Sequence, residues 1–371
     1  MAEAVALAES GVGSTCPNPS VGAVVVRGAS IVGRGRTGPA GTAHAEVRAL
    51  RAAGPRARGA TMYVTLEPCA HHGRTPPCVE AILAAGIRRV VVGLRDPAPN
   101  VAGRGIRWLR RHGVEVTCGV GRAGCLRAHE FYLHHVRTGR PFVTVKLATS
   151  LDGRIATETG ESKWITGAAA RRHAHRERAR HHAVCVGVGT VLADDPALTV
   201  RHVRGVDPIP VVLDGRLRTA DRPHLAVLRP GTLVFHGPKA ARARRRTLRG
   251  LGAVPLEVPR GAFGLDLDAV LDVLGSLEVR SLLVEGGGEV AGGFVRTGRV
   301  DRLLLYRAPV LLGEGRAAVA GWAASTVDGA PRFVRTKAVE LGDDLLEVLR
   351  PAGRKRPPGR GAGDARGGRP R

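Results

Sequence analysis

The 371-residue chain is poor in aromatic residues, in cysteines and in long apolar runs. Only 3% of its residues are aromatic, which leaves few flat side chains on which single-stranded bases could stack. Six cysteines are too few for a disulfide framework in a chain of this length, so we expect metal ligands and buried thiols instead. No apolar run approaches a membrane span, and the first residues, MAEAVALAESG, lack a basic leader. These features predict a cytoplasmic protein.

The formal net charge of +25 raises the question of a nucleic-acid partner. The positive charge is mostly arginine, with few lysines and abundant alanine and glycine, as GC-rich coding would also produce. The arginines cluster in the C-terminal segment and in residues 237–252 rather than along one face. We therefore expect no nucleic-acid partner. A small phosphorylated substrate would also account for some of the arginine.

The chain is long enough for two domains, and 43% of its residues are apolar. Residues 2–137 alternate between predicted helices and strands, which favours a mixed sheet with helices on both faces. The turn-rich segment RTGRP at 137–141 precedes a second α/β region. We predict domains at 1–140 and 141–350. Residues 351–371 are rich in proline, glycine and arginine without an apolar anchor, so they are predicted to be disordered.

The apolar periodicity and the turn residues place the individual elements. The predicted helices cover 2–10, 44–53, 78–85, 104–112, 122–137, 168–180 and 289–297. The predicted strands cover two stretches within 21–33, then 60–65, 89–94, 114–120, 142–149, 183–189, 209–214, 232–236, 281–285, 302–312, 333–340 and 344–349. The arginine-rich residues 237–252 are expected to form an exposed helix or loop.

The most informative residues are His44, Glu46, Cys69 and Cys78. One histidine and two cysteines can hold a zinc ion and leave its fourth position for water, whereas structural zinc sites usually fill all four positions. A nearby glutamate that is not a ligand can carry protons between that water and the substrate. His44 and Glu46 fall in the first turn of a predicted helix, and Cys78 begins the next one, where a thiolate is favoured. The pattern predicts a zinc-dependent nucleobase deaminase.

Other interpretations of these residues remain open. They could form a purely structural zinc site, or the cysteines could be buried thiols without a metal. His71 and His72 adjoin Cys69 and could replace His44 as a ligand, although no residue beside them would replace Glu46.

The segments CPNPSVGAVVV, HAEVRAL and YVTLEPCAHHGRTPPC resemble the deaminase half of the bifunctional riboflavin-biosynthesis deaminase/reductase family. Eight residues separate Cys69 from Cys78, as in that family, whereas related base and nucleic-acid deaminases typically place two there. The resemblance continues through VTVKLATSLDGRIATETGESKWIT, VGVGTVLADDPALTVR, LLVEGGGEVAGGFV and VDRLLLYRAPVLLG, and covers about residues 2–349. It implies an α/β protein with an N-terminal cytidine-deaminase-like three-layer domain and a C-terminal dihydrofolate-reductase-like domain.

The resemblance also implies two consecutive reactions. The first domain would remove the 2-amino group of 2,5-diamino-6-ribosylamino-4(3H)-pyrimidinone 5′-phosphate, with Zn²⁺ on His44, Cys69 and Cys78 and with Glu46 as the catalytic proton carrier. The second would reduce the ribosyl group to a ribityl group with NADPH. Family members assemble as oligomers, so a homo-oligomer is implied. Asn18 matches a position that lines the pyrimidine pocket, or is a plain turn residue; Cys16, where relatives often carry histidine, is expected to be a spectator.

In the second half, Gly286, Gly287 and Gly288 follow a predicted strand and precede a predicted helix, where main-chain N–H groups can approach a phosphate. Such turns are common, and the spacing is not that of the dinucleotide-binding pattern. The family positions that match the cofactor site are Ala148, Trp164, Thr190, Asp194, Gly287, Gly288, Glu289, Val290, Ala291, Gly292 and Gly293. Those that match the substrate site are Ser162, Arg178, Leu198, Arg201 and Glu285.

Some of these positions suggest specific roles. Arg178 and Arg201 could bind the sugar 5′-phosphate, because a guanidinium group binds phosphate as a fork. Asp194 or Glu285 could accept hydrogen bonds from ribose hydroxyls. Lys146 could polarise the reacting sugar or be a surface residue at a strand end. Trp164 could pack on the nicotinamide or simply fill the core.

Two other functions fit parts of the sequence. An RNA- or DNA-editing deaminase could use the second half and the basic tail to bind nucleic acid, although the cysteine spacing and the low aromatic content oppose this. The second of these functions is a binding module that zinc stabilises and that catalyses no reaction.

Overall fold

The computed structural model of the protein describes residues 1–73, 76–262 and 264–353. The first half of the chain forms one α/β unit that includes a short 3-10 helix at Gly54–Ala57. Its remaining elements are α1 (Ala2–Gly11), β1 (Gly22–Arg27), β2 (Ser30–Arg36), α2 (Ala45–Ala53), β3 (Thr61–Val64), α3 (Cys78–Ala84), β4 (Arg89–Val92), α4 (Arg104–Arg111), β5 (Glu115–Cys118), α5 (Arg122–Ala128) and α6 (Glu130–Thr138).

The strands of this half form a five-stranded sheet in the order β2-β1-β3-β4-β5. Strand β1 is antiparallel to both β2 and β3, whereas β3, β4 and β5 run parallel, so the predicted mixed sheet is confirmed. Helix α2 packs very closely on β2, where Gly33 and Gly35 leave no room for a side chain. A Cβ atom added at Gly33 would lie 2.2 Å from the Ala49 oxygen, and one added at Gly35 would lie 2.1 Å from the Ala45 oxygen. This close approach fixes the helix that carries Glu46.

The second half contains a larger sheet and a 3-10 helix at Arg218–Asp221. Its other elements are β6 (Phe142–Thr149), β7 (Arg154–Ala156), α7 (Ala168–Arg180), β8 (Ala183–Gly187), α8 (Val188–Asp194), β9 (Ile209–Leu213), β10 (Leu233–His236), α9 (Arg242–Gly250), β11 (Val254–Glu257), β12 (Arg260–Gly261), β13 (Gly264–Leu265), α10 (Leu267–Ser276), β14 (Ser281–Val284), α11 (Gly288–Arg296), β15 (Arg302–Arg307), β16 (Arg316–Ala317), β17 (Phe333–Leu341) and β18 (Asp344–Pro351).

The large sheet has nine strands in the order β11-β10-β9-β8-β14-β6-β15-β18-β17. The strands from β11 to β15 pair in parallel, and β18 and β17 add an antiparallel edge. Every residue of β8 and β14 is buried, as expected for parallel strands that are covered on both faces. The fold of the chain is therefore α/β in both halves, with a purely parallel centre only in the second sheet.

Several predicted elements differ from the observed ones. The helix predicted over 122–137 is divided into α5 and α6 at His129, whose ring is hydrogen-bonded to Thr65 Oγ1 at 3.0 Å. The strand predicted over 183–189 ends at Gly187, and the apolar residues that follow begin α8, where Val191 is buried. Helix α10, capped by the Asp266 carboxylate, was not predicted. His44 is the residue before α2 rather than part of its first turn.

At the C-terminal end, Pro351, which was predicted to be disordered, is the last residue of β18, while 354–371 lie outside the described residues. The two halves are joined by Glu130 of α6, whose carboxylate forms ion pairs with Arg302 of β15 and, at 2.7 Å, with Arg350 of β18. Within the described ranges, no helix combines the length and the apolar character needed to cross a membrane.

Candidate active sites

His44, Cys69 and Cys78 come from three separate segments and meet at one point. His44 directly precedes α2 in an extended conformation, Cys69 lies in the loop after β3, and Cys78 is the first residue of α3. The Nδ1 atom of His44 lies 3.1 Å from the Sγ atom of Cys78 and 3.7 Å from that of Cys69. The three ligand atoms all lie within 4.8 Å of one another. The structure thus groups His44, rather than His71 or His72, with the two cysteines.

This set of donor atoms fits a zinc ion. In an ideal tetrahedral site with ordinary zinc bond lengths, a nitrogen and a sulfur ligand are about 3.6 Å apart, between the two N–S distances found here. Hydrogen bonds from the Cys78 thiol and from His44 and the Cys78 main-chain N–H lower the pKa of Cys69 to about 4 against the effect of burial. The hydrogen bond to Cys69, followed by burial, raises the pKa of Cys78, so this sulfur is a thiol when no metal is bound. A cation between the two sulfurs would allow both to be thiolates.

Glu46 lies in the first turn of α2, next to the three ligands but not among them. Its side chain is 4% exposed. Burial, followed by the charge of Cys69, raises the pKa of Glu46 to about 7. A carboxyl group that titrates near neutral pH can accept a proton and release it again in one catalytic cycle. The arrangement therefore separates metal binding from proton transfer.

The other residues singled out near this site have different surroundings. Asn18 lies in a turn in which its main-chain N–H donates to Thr15 O at 2.9 Å and its carbonyl accepts from Thr15 Oγ1 at 3.0 Å. Its place in a pyrimidine pocket stays a prediction. His71 Nε2 lies 3.4 Å from the side-chain amide of Asn100. Burial raises the pKa of Cys16 to about 11, and this thiol is outside the ligand group, as expected for a spectator.

In the second half, Arg178 of α7 and Glu285 after β14 form a buried ion pair. Arg178 Nε and Nη2 donate to the two oxygens of Glu285 at 2.7 and 2.8 Å, and Nη1 donates to Thr199 O at 3.0 Å. Burial alone would raise the pKa of Glu285, but Arg178 and then Lys146 outweigh it and lower the pKa to about 2. Glu285 is therefore a carboxylate at neutral pH, and Arg178 is already largely engaged.

Lys146 lies in the middle of β6, where it is paired with Leu304 of β15. Its side chain is half-buried, and its Nζ atom is 5.8 Å from the centre of the Tyr306 ring. Burial lowers the pKa of Lys146, and the charge of Glu285 opposes that effect. The interpretation of Lys146 as a surface residue at a strand end is therefore wrong. With Arg178 and Glu285 it forms a compact charged cluster.

The predicted cofactor residues cluster around the start of α11. The main-chain N–H of Gly287 donates to Thr190 Oγ1 of α8 at 3.2 Å, which brings the two helices together. A Cβ atom added at Gly288 would lie 2.3 Å from the Ala317 oxygen, so this glycine also permits close chain packing. In the same segment Glu289 is exposed, Val290 and Ala291 pack on the core, and Gly292 and Gly293 complete the second turn. Elsewhere, Ala148 is half-buried in β6 and Asp194 is exposed at the end of α8.

Two predicted residues have unexpected environments. Trp164 is 69% exposed, with the Arg171 guanidinium 4.6 Å from its ring centre, so the alternative that it fills the core is wrong. The side chain of Leu198 is 1% exposed and belongs to a hydrophobic cluster, so any contact of Leu198 with a substrate must come from its main chain. Ser162 is half-buried in a loop, and Arg201 is exposed, with its main-chain N–H bound to His175 Nδ1 at 2.9 Å.

A cavity of about 490 Å³ extends from α11 to the carboxyl end of β9. It shares Glu289, Val290 and Gly293 with the predicted cofactor segment. Four arginines also line it, namely Arg216, Arg218, Arg260 and Arg296. These arginines were not among the predicted site residues, although the pattern Asp-Gly-Arg-x-Arg, which begins at the last residue of the predicted strand 209–214, is a local signal.

Comparison with known proteins matches two separate parts of the chain to two family models. Residues 1–94 match the family model of the cytidine and deoxycytidylate deaminase zinc-binding region, and residues 141–346 match that of the RibD C-terminal domain. The riboflavin biosynthesis protein RibD of Bacillus amyloliquefaciens is 42% identical over 353 residues, covering 93% of this chain and 94% of that protein. The RibD of Escherichia coli K12 is 41% identical over 362 residues, with 93% and 96% covered.

Solved structures agree with these sequence relatives. Acinetobacter baumannii RibD, form 1, superposes with a TM-score of 0.87 at 38% identity, and 95% of this chain and 98% of that one are covered. The diaminohydroxyphosphoribosylaminopyrimidine deaminase/5-amino-6-(5-phosphoribosylamino)uracil reductase of Thermotoga maritima has a TM-score of 0.83 at 35% identity, with 95% and 97% covered. The chain belongs to the RibD family of bifunctional riboflavin biosynthesis proteins.

Proposed function

We propose that this chain catalyses two consecutive steps of riboflavin biosynthesis. Residues 1–140 remove the 2-amino group of 2,5-diamino-6-ribosylamino-4(3H)-pyrimidinone 5′-phosphate by hydrolysis, and residues 141–350 reduce its ribosyl group to a ribityl group with NADPH. The observation that carries the deaminase is the meeting of His44, Cys69 and Cys78 beside the buried Glu46, which is not a ligand. The comparisons do not support the alternative of a nucleic-acid-editing deaminase.

For the deamination, zinc bound by His44, Cys69 and Cys78 would supply a water molecule that is acidic enough to attack the ring at neutral pH. The Glu46 carboxylate would accept a proton from that water and deliver it to a ring nitrogen of the substrate as the water oxygen adds to the ring carbon. Glu46 would then take the proton of the newly added hydroxyl group and pass it to the departing amine, as the carbon–nitrogen bond breaks and the carbonyl group forms. The burial of Glu46 keeps bulk water from exchanging these protons, and its raised pKa suits both directions of transfer.

For the reduction, the chain's own contribution is positioning and charge. The Lys146 ammonium group and the Glu285 carboxylate face the reacting sugar and hold its oxygens, and the exposed Arg201 binds the 5′-phosphate. Arg178 orients Glu285 through its two hydrogen bonds and has less capacity left for phosphate. The start of α11, with Thr190, would hold the cofactor phosphates. NADPH would supply the hydride to the sugar C1′, while the bond between C1′ and the ring oxygen opens and that oxygen takes a proton from water.

The cavity beside α11 supports NADPH rather than NADH as the donor. Strands β14 and β9 are two places apart in the sheet, about 10 Å, which suits the adenosine half of a dinucleotide lying across the carboxyl ends of the strands. Arg216, Arg218 and Arg260 are exposed around this cavity and form no ion pair within the described ranges. These guanidinium groups can bind the 2′-phosphate that NADPH carries and NADH lacks.

The substrate is a small phosphorylated pyrimidine. We also propose that the protein is a homo-oligomer, that it is located in the cytoplasm and that it has no nucleic-acid partner. The six free cysteines, of which none forms a disulfide, suit a reducing compartment.

The proposal is tested with the purified chain and the diaminopyrimidinone ribosyl phosphate, with and without NADPH. Ammonia release, NADPH oxidation and bound zinc are measured separately. We expect ammonia release without NADPH and one NADPH oxidised per ammonia released when NADPH is present. Ammonia release without NADPH consumption would contradict the reductase assignment. Zinc binding with neither reaction would contradict both.

A further inference from the structure

We infer that Glu67 is a positioning residue for the zinc site, because its carboxylate fixes the chain segment that carries Cys69. The inference rests on the proposed zinc site of His44, Cys69 and Cys78. Glu67 lies two residues before Cys69, and its side chain is only 5% exposed. Glu67 is not one of the grouped metal ligands, and the proposed proton carrier is Glu46. The burial of this second glutamate therefore requires another explanation.

Both carboxylate oxygens of Glu67 accept hydrogen bonds from the main chain. Oε2 accepts from the N–H groups of Asp96 at 3.2 Å and Gly103 at 3.0 Å, and Oε1 accepts from that of Ile106 at 3.2 Å. The main-chain N–H of Glu67 donates to Leu94 O at 2.9 Å. Glu67 forms no ion pair with any described residue. Its charge is therefore balanced by main-chain dipoles, which have fixed positions.

These donors include the start of α4, which needs an external acceptor. The first N–H groups of a helix have no partner within the helix, and a side chain at the preceding residue usually supplies one. The residue before α4 is Gly103, which has no side chain. Glu67 replaces the missing cap from another segment, and a carboxylate is also favoured at this positive end of a helix. Helix α4 and the loop that carries Cys69, here called the ligand loop, therefore stabilise each other's position.

The packing next to this cap leaves little freedom. A Cβ atom added at Gly105, in the first turn of α4, would lie 1.9 Å from the carbonyl oxygen of Pro68. Pro68 joins Glu67 to Cys69, so the ligand loop lies directly on the helix. A displacement of Glu67 must therefore move the Cys69 sulfur relative to Cys78 and His44, and the metal would lose one well-placed ligand.

The test compares Glu67→Gln and Glu67→Ala with the wild-type full-length chain after replacement of zinc by Co²⁺, whose absorption spectrum reports cysteine ligation. We expect Glu67→Ala to bind Co²⁺ about 10–100-fold more weakly and to change the cysteine–cobalt absorption bands. Glu67→Gln keeps one acceptor oxygen and should lose less. The rate of alkylation of Cys69 in the metal-free chain should rise. NADPH oxidation with the deaminated substrate should not change.

Asp266 provides a matched control, because its carboxylate caps α10 in the second half through the N–H groups of Asp268 and Ala269. Asp266→Ala should lower the melting temperature but leave the cobalt affinity and spectrum unchanged. If Glu67→Ala fails to fold, Gly105→Ala displaces Pro68 instead and should weaken Co²⁺ binding in the same way.

Wild-type cobalt affinity and spectrum in a folded Glu67→Ala or Gly105→Ala variant would overturn the inference, and so would an equal loss in Asp266→Ala. A wild-type chain that binds Co²⁺ through Cys69 but releases no ammonia would contradict the proposed function alone. The cobalt measurements would still decide the role of Glu67. A wild-type chain whose bound Co²⁺ shows no cysteine ligation would overturn both.

Discussion

The guanidinium group of Arg178 holds the carboxylate of Glu285 through two parallel hydrogen bonds of 2.7 and 2.8 Å. The two side chains are 13% and 8% exposed, and 107 positions separate them in the sequence. Removal of only one partner of such a buried ion pair destabilises the fold, because the remaining buried charge is then unpaired.

Removal of the Glu285 carboxylate should destabilise the second half. Glu285→Ala leaves Arg178 buried without its partner, and we expect the free energy of unfolding to fall by about 3–5 kcal/mol. Urea unfolding followed by circular dichroism measures the change. The double variant Glu285→Leu/Arg178→Met removes both charges and should lose less. A loss in the single variant no larger than that of the double variant would contradict the importance of the pair.

The same pair should make stability depend on acid. The pKa of Glu285 is lowered from 4.5 to about 2 in the folded chain, so the carboxylate stabilises the fold fully above the unfolded value. This stabilisation is lost as the pH falls through about 4.5 to 2. Glu285→Gln should therefore be less stable than wild type at pH 7, and the difference should shrink towards pH 2. Urea midpoints at pH 7, 4 and 3 provide the measurement; Glu289→Gln, which removes an exposed carboxylate, is the control.

Metal binding should depend on Cys78 but not on another equally buried thiol. Cys78→Ala removes one of the three grouped ligands, and we expect the bound zinc of the purified chain to fall to a small fraction of one equivalent. Cys185 in β8 is also fully buried but lies in the core of the second half, so Cys185→Ala should keep its zinc. Metal analysis after dialysis gives the result, and equal zinc in both variants would contradict the ligand set.

Loss of the Glu46 carboxylate should stop deamination without loss of the metal. Glu46→Gln keeps the shape of the side chain but removes the proton carrier, and we expect ammonia release to slow by about 100-fold or more. Bound zinc and the reduction of the deaminated substrate should remain. Glu80→Gln is the matched control, because Glu80 is an exposed glutamate in the first turn of α3, two residues after Cys78. Full turnover by Glu46→Gln would contradict the proposed deaminase mechanism.

The sequence predicted the ligand trio because zinc ligation depends on residue type and on a few short motifs. It also predicted the positions of the buried strands β8 and β14, because their apolar runs are local. The break at His129 could not be predicted, because the His129 ring is hydrogen-bonded to Thr65, which follows β3 and is distant in the sequence. The same reason applies to Arg178 and Glu285: each was expected to contact substrate, and neither motif indicated that they bind each other.

The directions of individual side chains also could not be predicted from the sequence. Leu198 and Trp164 lie in segments that match the family, but a match gives no orientation, and the structure places one side chain in the core and the other in solvent. Glu67 illustrates the reverse case, since it stands beside a ligand motif yet its partners, the N–H groups of α4 and of the segment after β4, come together only in the folded chain.

The arginines around the cavity should determine the choice of nicotinamide cofactor. Arg218 and Arg216 follow β9, are exposed, and line the cavity that reaches the start of α11. Arg218→Ala and Arg216→Ala should raise KM for NADPH by about tenfold or more for each charge-assisted hydrogen bond lost, while kcat and KM for NADH should stay unchanged. Arg249→Ala, an exposed arginine on α9, is the control. Because only the 2′-phosphate distinguishes the two cofactors, an equal rise in KM for NADPH and NADH would place these arginines elsewhere on the dinucleotide, and no rise in either would remove the cavity from the cofactor site.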